Sequence, residues 1–233
     1  MSGARGLFVG GTDTGCGKTS VGVALARAAR RRGLRVGVLK PVETGCARVN
    51  DDLVPADAMA LARAAGDPRG LDAICPYRLP LPAAPAVAAA EQGRELDPAR
   101  IHAAYAQAAR AFDAVLVEAA GGLRVPLTEK LDMLDLAREL ELPLLLVARA
   151  RLGTINHALL SLEAAARRGV AVVGLIVSHT EPELSAADRA NLEWLLARCP
   201  VPFLGELGHT AQPDGKPDAG LDLEPVWRLW TDG

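Results

Sequence analysis

A glycine-rich segment near the start of the chain has the residue types that bind phosphate groups. It reads Gly11-Thr12-Asp13-Thr14-Gly15-Cys16-Gly17-Lys18-Thr19 and follows a short apolar run. In such a loop the backbone N–H groups point at phosphates, and the following helix adds its positive end. We expect Lys18 to reach the β- and γ-phosphates and the Thr19 hydroxyl to bind Mg²⁺. Thr12 stands where the strict pattern GxxxxGK(S/T) has glycine, so an ordinary glycine-rich turn is the alternative.

A lysine ends the second apolar run of the chain, in the segment Lys40-Pro41-Val42-Glu43-Thr44-Gly45. A lysine with its stem among apolar neighbours is costly unless the ammonium has an anionic partner. The functional interpretation is a second cation for a transferring phosphoryl group or a developing anion. The alternative is a side chain whose ammonium reaches solvent.

Two acidic residues stand near the ends of other predicted elements. Glu118 follows the apolar run Val115-Leu116-Val117, and Asp57 opens a predicted helix. Helix capping would explain Asp57. A second role, compatible with the first, is to bind Mg²⁺ through oxygen together with Thr19 and Glu118.

Composition excludes several classes of protein. The 26 basic and 28 acidic residues give a formal net charge of -2, so we expect neither nucleic acid nor a membrane surface as a partner. Apolar runs are too short for a signal peptide or a membrane span of about 20 residues. The four cysteines lack the spacing of a disulfide framework or zinc site, which predicts reduced thiols and a cytoplasmic location.

Strand and helix patterns alternate along the chain. The predicted strands are Leu7–Gly10, Arg35–Lys40, Ala114–Val117, Leu144–Ala148 and Val170–Val177. The predicted helices are Lys18–Arg32, Ala56–Ala65, Ala99–Ala111, Leu131–Leu140, Thr154–Arg168 and Ala186–Ala197. This order predicts a parallel sheet with helices on both faces and ligands beyond the carboxyl ends of the strands. The length favours a single domain over residues 1–233.

Two stretches lack such a pattern. Residues 41–55 are rich in Gly, Asn and Asp and are predicted to be a loop. The proline-dense segment Pro76–Pro85 is predicted to be a surface loop, because proline disfavours central strands and helix interiors. Near the end of the chain, Trp227 and Trp230 are expected to pack the tail onto the body.

Four segments together resemble the dethiobiotin synthetase family. They are the glycine-rich loop, Lys40–Gly45, Val117-Glu118-Ala119-Ala120-Gly121-Gly122-Leu123-Arg124-Val125-Pro126-Leu127 and Leu152-Gly153-Thr154-Ile155-Asn156-His157. The resemblance extends from the first strand to about Glu206. It implies an α/β, P-loop NTPase-like three-layer fold whose mostly parallel central sheet has helices on both faces.

The resemblance also implies a reaction. It is the ATP-dependent carboxylation and ring closure of 7,8-diaminononanoate with CO₂, which gives dethiobiotin in biotin biosynthesis. A carbamate of the substrate takes the γ-phosphoryl group of ATP, and the resulting carbamic–phosphoric anhydride is closed by the second amine. Such chemistry depends on positioning and charge stabilisation more than on covalent participation by the protein.

Site residues follow from the same resemblance. The catalytic residues would be Lys40, Lys18 and Thr14. The ATP-binding residues would be Gly15, Cys16, Gly17, Lys18, Thr19, Ser20, Asp57, Glu118, Ser178, Gly205 and Glu206. Mg²⁺ would be bound by Thr19, Asp57 and Glu118. The substrate would contact Thr44 and, across the interface of a homodimer, the helix N-terminus at Gly153, Thr154, Ile155 and Asn156.

This chain departs from the family pattern at two positions. Ala119 stands where the family often has glycine. Ser178 and His179 stand where an Asn commonly reads the adenine, which predicts weaker discrimination among nucleoside triphosphates.

Two other classes of protein share parts of the pattern. Partition and septum-site ATPases usually carry a second lysine early in the phosphate loop, where this chain reads Gly10-Gly11-Thr12-Asp13. Cobyrinate-type amidating synthetases need an added glutaminase domain with a nucleophilic cysteine, for which 233 residues leave no room.

Overall fold

The computed structural model describes residues 5–209 and 220–231. Its strands are β1 (Arg5–Gly11), β2 (Val36–Leu39), β3 (Val42–Thr44), β4 (Ala47–Val49), β5 (Asp52–Val54), β6 (Tyr77–Leu79), β7 (Ala114–Gly122), β8 (Leu144–Arg149), β9 (Val172–Ser178) and β10 (Phe203–Leu207). Its helices are α1 (Lys18–Arg31), α2 (Ala56–Ala65), α3 (Leu71–Ile74), α4 (Pro85–Ala90), α5 (Pro98–Ala111), α6 (Met133–Glu139), α7 (Thr154–Arg167), α8 (Ala186–Leu196) and α9 (Glu224–Thr231).

The main sheet has six strands in the order β10-β9-β8-β1-β7-β2, and every neighbouring pair is parallel. Side chains of β1 alternate between the two faces, as the pleat requires. Phe8 belongs to the core that contains α5–α8, whereas Leu7 and Val9 belong to the core that contains α1, α2 and α9. The sheet is therefore buried on both faces, and the predicted three-layer, mostly parallel α/β architecture is confirmed.

The strand order places chemistry at one edge of the sheet. β1 lies between β7 and β8, and β7 lies between β1 and β2. Parallel strands end on the same side, so the loop after β1, the lysine after β2 and the polar end of β7 are brought together.

The proline-dense segment was wrongly predicted to be loop throughout. Pro76 and Pro80 flank β6, which pairs in parallel with β3 in a small separate sheet. Pro85 starts α4, where proline is compatible with the first helical turn because no intrahelical N–H bond is lost. Proline stands at the boundaries of both elements, and the prediction considered only central positions.

The prediction of an unbroken loop over residues 41–55 was also wrong. β3 occupies its first part, and β4 and β5 form an antiparallel hairpin. The turn of that hairpin holds Asn50 and Asp51 at positive φ, a conformation that these two residue types tolerate in tight hairpin turns.

Other boundaries differ near the site and the end of the chain. β7 continues to Gly122, five residues beyond the predicted end, so Glu118 lies inside the strand. β10 was not predicted; it completes the sheet. The rings of Trp227 and Trp230 lie 5.7 Å apart and are buried, so α9 packs the tail onto the body as expected. Within residues 5–209 and 220–231, no helix is both long and apolar enough to cross a membrane.

Candidate functional site

The glycine-rich loop joins the end of β1 to the start of α1. Gly15 and Gly17 have φ values of 68° and 94°, a region that favours glycine. A Cβ atom on Gly17 would also overlap the Oγ of Ser178 at the end of β9. The loop therefore needs glycine here for its conformation and for its close approach to the neighbouring strand.

The loop lysine is held inside the loop. Lys18 is 7% exposed, and its Nζ donates to the backbone carbonyl of Asp13 at 2.9 Å. Arg149 at the end of β8 lies 3.5 Å from the Asp13 carboxylate, whose other oxygen accepts from the backbone N–H of Thr14. Cys16 is buried, and its thiol donates to the carbonyl of Val147. Cys16 thus packs beneath the loop, while Lys18 is placed where phosphates would meet the α1 N-terminus.

A charged network connects the second and third strand ends to this loop. Lys40 Nζ lies 2.5 Å from Glu118 Oε1 and 3.2 Å from Asp57 Oδ2. The same Glu118 oxygen accepts from the Thr19 hydroxyl at 2.9 Å. The predicted anionic partner of Lys40 is present, and the alternative of a solvent-exposed ammonium is excluded because the side chain is 4% exposed.

Burial lowers the pKa of Lys40, but the negative charges of Glu118 and Asp57 outweigh it and raise the pKa above its usual range. The lysine is therefore cationic. Glu118 Oε2 is buried without a hydrogen-bond partner among the described residues. Glu118 Oε1, the Thr19 hydroxyl that it contacts and the Asp57 carboxylate on the other side of Lys40 form a set of oxygen donors that suits Mg²⁺.

The role of Asp57 at the start of α2 differs from the predicted cap. The cap position is Pro55, no side chain of the helix provides the cap, and Asp57 lies within the first turn. Instead, the Glu43 carboxylate on β3 accepts the backbone N–H groups of Asp57 and Ala58, each at 3.0 Å. Asp57 is free to point at Lys40 because another residue does the capping.

Sequence reasoning missed Glu43. Burial raises its pKa, and the two backbone N–H groups oppose that shift. The available signal was an acid in a segment that follows a buried strand, in the same short motif as Lys40 and Thr44. Nothing in that motif indicated which backbone groups the acid would bind.

A cleft of about 680 Å³ opens above this network. The predicted residues that line it are Thr14, Gly15, Gly17, Lys18, Thr19, Ser20, Lys40, Thr44, Asp57 and Ser178. From the loop, one arm of the cleft extends toward Thr44 and the segment 82–85, and the other toward Ser178, His179 and His209. The cleft thus has room for two ligand parts on either side of the phosphate loop.

The remaining predicted residues lie outside that lining, and two of them, Cys16 and Glu118, are completely buried. Gly205 and Glu206 are on β10, where Glu206 Oε2 lies 2.6 Å from Nε2 of His179. Residues 153–156 form the start of α7, beside Leu152, which is 73% exposed. The Thr154 hydroxyl is buried and has no hydrogen-bond partner within the described part of the chain. The structure of one chain does not bring this helix start to its own cleft.

The parallel sheet, the glycine-rich loop at a helix N-terminus and the buried cation–acid network define a P-loop nucleotide-binding α/β protein. Residues 5–215 match the AAA domain family. The chain is 46% identical over 214 residues to ATP-dependent dethiobiotin synthetase BioD of Aromatoleum aromaticum. The match covers 92% of this chain and 95% of that protein. It is 41% identical to the protein of the same name from Pseudomonas aeruginosa, over 94% of this chain and 97% of the relative.

The chain therefore belongs to the ATP-dependent dethiobiotin synthetase family, and the resemblance inferred from the four motifs is confirmed. Among solved structures, the signal recognition particle receptor FtsY from Elizabethkingia anophelis is similar, with a TM-score of 0.51 and 17% identity. That match covers 99% of this chain and 67% of the receptor, and at this identity it supports the fold alone.

Proposed function

We propose that this enzyme catalyses the ATP-dependent closure of 7,8-diaminononanoate and CO₂ to dethiobiotin. The observation that carries the proposal is the network of Lys40, Glu118, Asp57 and Thr19 beside the phosphate loop. That network places a fixed cation next to a nucleotide site, within a cleft that has a second arm for an acceptor.

The proposed reaction proceeds in three steps. An amine of the diamine attacks CO₂ and, after loss of a proton, gives a carbamate. A carbamate oxygen then attacks the γ-phosphorus of ATP, which forms a carbamic–phosphoric anhydride and releases ADP. The second amine attacks the carbonyl carbon, phosphate leaves with the C–O bond electrons, and loss of a proton gives the cyclic urea.

The residues of the chain act mainly by holding charge in place. The N–H groups of the loop and Lys18 bind the phosphates, and Lys40 stabilises charge on the carbamate and the transferring group. Thr14 would lie beside the carbamate; its hydroxyl is close to Gly121 in the lining of the same cleft. Thr44 contacts the diamine in the arm that continues from Lys40.

Thr19, Asp57 and Glu118 would hold Mg²⁺, which neutralises phosphate charge when it is bound. Glu118 contacts both Thr19 and Lys40 through the same oxygen, Oε1, so Mg²⁺ would share that oxygen with the lysine. The second oxygen, Oε2, is buried toward Gly22 of α1.

The proposed functional unit is a homodimer. The N-terminus of α7 lies outside the cleft of its own chain, next to the exposed side chains of Leu152 and Leu160. Helix N-termini attract carboxylates, so this one would bind the substrate tail in the cleft of the partner. Sedimentation of the purified protein checks the dimer, and a monomer under assay conditions would contradict it.

The free cysteines of the chain agree with the proposed cytoplasmic location.

The test is ADP release by the purified protein with ATP, Mg²⁺ and bicarbonate, with and without the diamine, together with mass detection of dethiobiotin. We expect release to depend on the diamine and to be lost in Lys40→Gln. Lys130→Gln is the matched control, because it makes the same substitution at an exposed position. The assignment would be overturned if ADP release were the same with and without the diamine, or if the two variants were equally active.

A further inference from the structure

Glu43 is an acid inside the motif that also carries Lys40 and Thr44, yet the proposed reaction assigns it no part. It lies on β3 and is 7% exposed. Both carboxylate oxygens are engaged, Oε1 by the N–H of Asp57 and Oε2 by the N–H of Ala58. The hydrogen bonds of its carboxylate are thus with the backbone of one helix.

The helix that Glu43 binds has no cap of its own. The first N–H groups of any helix lack intrahelical partners, and a nearby side chain normally accepts them. Here the cap position is Pro55, and the helix supplies no side-chain cap. A negative carboxylate also suits the positive end of the helix. The start of α2 is therefore fixed by a residue of a different element.

The position of Asp57 depends on this connection. Its side chain is 44% exposed at the cleft, and its contact in the network is the 3.2 Å pair with Lys40. Its backbone N–H is one of the two that Glu43 holds. Glu43 follows Lys40 by three residues. One short segment therefore positions both the lysine and the backbone of Asp57, the acid that faces the lysine.

We infer that Glu43 is a positioning residue for Asp57 and thereby sets the metal affinity of the nucleotide site. The inference rests on the proposed function in one respect, the binding of a divalent cation by Asp57. Glu43 lines the cleft, but both of its carboxylate oxygens are held by backbone N–H groups, so it would act on the metal through the backbone of Asp57. Residues that orient metal ligands in this way commonly alter metal affinity by tenfold or more.

The experiment measures binding, without catalysis. Mn²⁺ is titrated into the full chain with a non-hydrolysable ATP analogue and followed by electron paramagnetic resonance. Hydrogen exchange reports the amides of residues 57 and 58. In Glu43→Gln we expect roughly tenfold weaker Mn²⁺ binding, faster exchange of both amides, and an unchanged affinity for the analogue without metal. Glu43→Gln keeps the size of the side chain but offers one acceptor instead of two.

Two further variants separate the explanations. Ser185→Ala removes a helix cap far along the chain, where the hydroxyl accepts the N–H of Asp188. It should lower thermal stability and leave Mn²⁺ affinity at the wild-type value. Glu43→Asp keeps the charge but shortens the reach, so it should also weaken Mn²⁺ binding.

The inference is overturned if Glu43→Gln binds Mn²⁺ as tightly as Ser185→Ala does. It is also overturned if Glu43→Asp retains full affinity while Glu43→Gln loses it, because charge alone would then account for the effect. Failure of the wild-type chain to bind Mn²⁺ with the analogue would overturn the proposed metal site and this inference together. Diamine is absent throughout, so the assignment of the substrate does not affect the result.

Discussion

Lys40 Nζ lies 2.5 Å from Glu118 Oε1, with both side chains almost completely buried. Lys40 directly follows β2, Glu118 lies inside β7, and these two strands are neighbours in the sheet. Removing two charges from water costs several kcal/mol per ion, which the attraction between them offsets only in good geometry. Such a pair is weak evidence for stability alone, and its position beside the phosphate loop agrees with the charge-stabilising role proposed for Lys40.

A double-mutant cycle on this pair should show strong coupling. Lys40→Met leaves Glu118 without its cation, and Glu118→Gln leaves Asp57 as the carboxylate partner of the lysine. We expect each single variant to lower the free energy of unfolding by about 3 kcal/mol. The double variant should lose at least 1 kcal/mol less than the sum. Urea denaturation of the four proteins measures this, and strictly additive losses would show that the pair is not coupled.

Gly17→Ala should abolish tight nucleotide binding. The new Cβ would overlap the Ser178 hydroxyl, and the backbone has a φ of 94°. Gly33→Ala is the control, since Gly33 has a φ of 83° but open space where a Cβ would be placed. That variant should lose about 1 kcal/mol of stability from backbone strain and bind ADP normally. Calorimetric titration with ADP compares them, and equal affinities would contradict the steric argument.

Asp132 should make stability depend on pH in the acid range. Burial raises the pKa of its carboxyl, but the N–H of Asp135 and the guanidinium of Arg168 outweigh this effect and leave the pKa below its usual value. Such a carboxylate stabilises the fold above its unfolded pKa of about 4, and the contribution disappears as pH falls through the folded value.

Asp132→Asn should therefore be less stable than wild type by about 2 kcal/mol at pH 7. The difference should shrink below pH 4, because the wild-type protein then loses the same interactions. Asp52→Asn, at an exposed position, should track the wild-type curve. Thermal unfolding between pH 3 and pH 7 measures all three, and a constant deficit of Asp132→Asn would refute the linkage.

The base end of the cleft should discriminate weakly among nucleotides. Ser178 is 3% exposed and lies against Gly17, and its single hydroxyl offers fewer donors and acceptors than an amide. The ring nitrogen Nε2 of His179 lies 2.6 Å from Glu206 Oε2 and is hydrogen-bonded to it. We therefore expect GTP and CTP to support the reaction within about tenfold of ATP, a difference of less than about 1.4 kcal/mol. A strong preference for ATP in a competition assay would rule this out.

Local patterns in the sequence were sufficient for most of the architecture. Alternating strand and helix periodicities predicted the parallel sheet, because each element buries its apolar face in a pattern that repeats over few residues. The glycine-rich loop is contiguous, so its glycines, Lys18 and Thr19 could be recognised together. The family followed from four such contiguous motifs, each in the expected order.

Tertiary structure decided what the motifs do to one another. Lys40 and Glu118 are 78 residues apart, and they meet only because β2 and β7 are adjacent in the sheet. The capping of α2 by Glu43 and the pairing of β3 with β6 likewise join separate segments. Sequence periodicity reports which side of an element is buried, but the partner across the core is set by strand order. The sequence thus determined which groups are available, and the fold determined that Glu43 anchors the acid that faces Lys40.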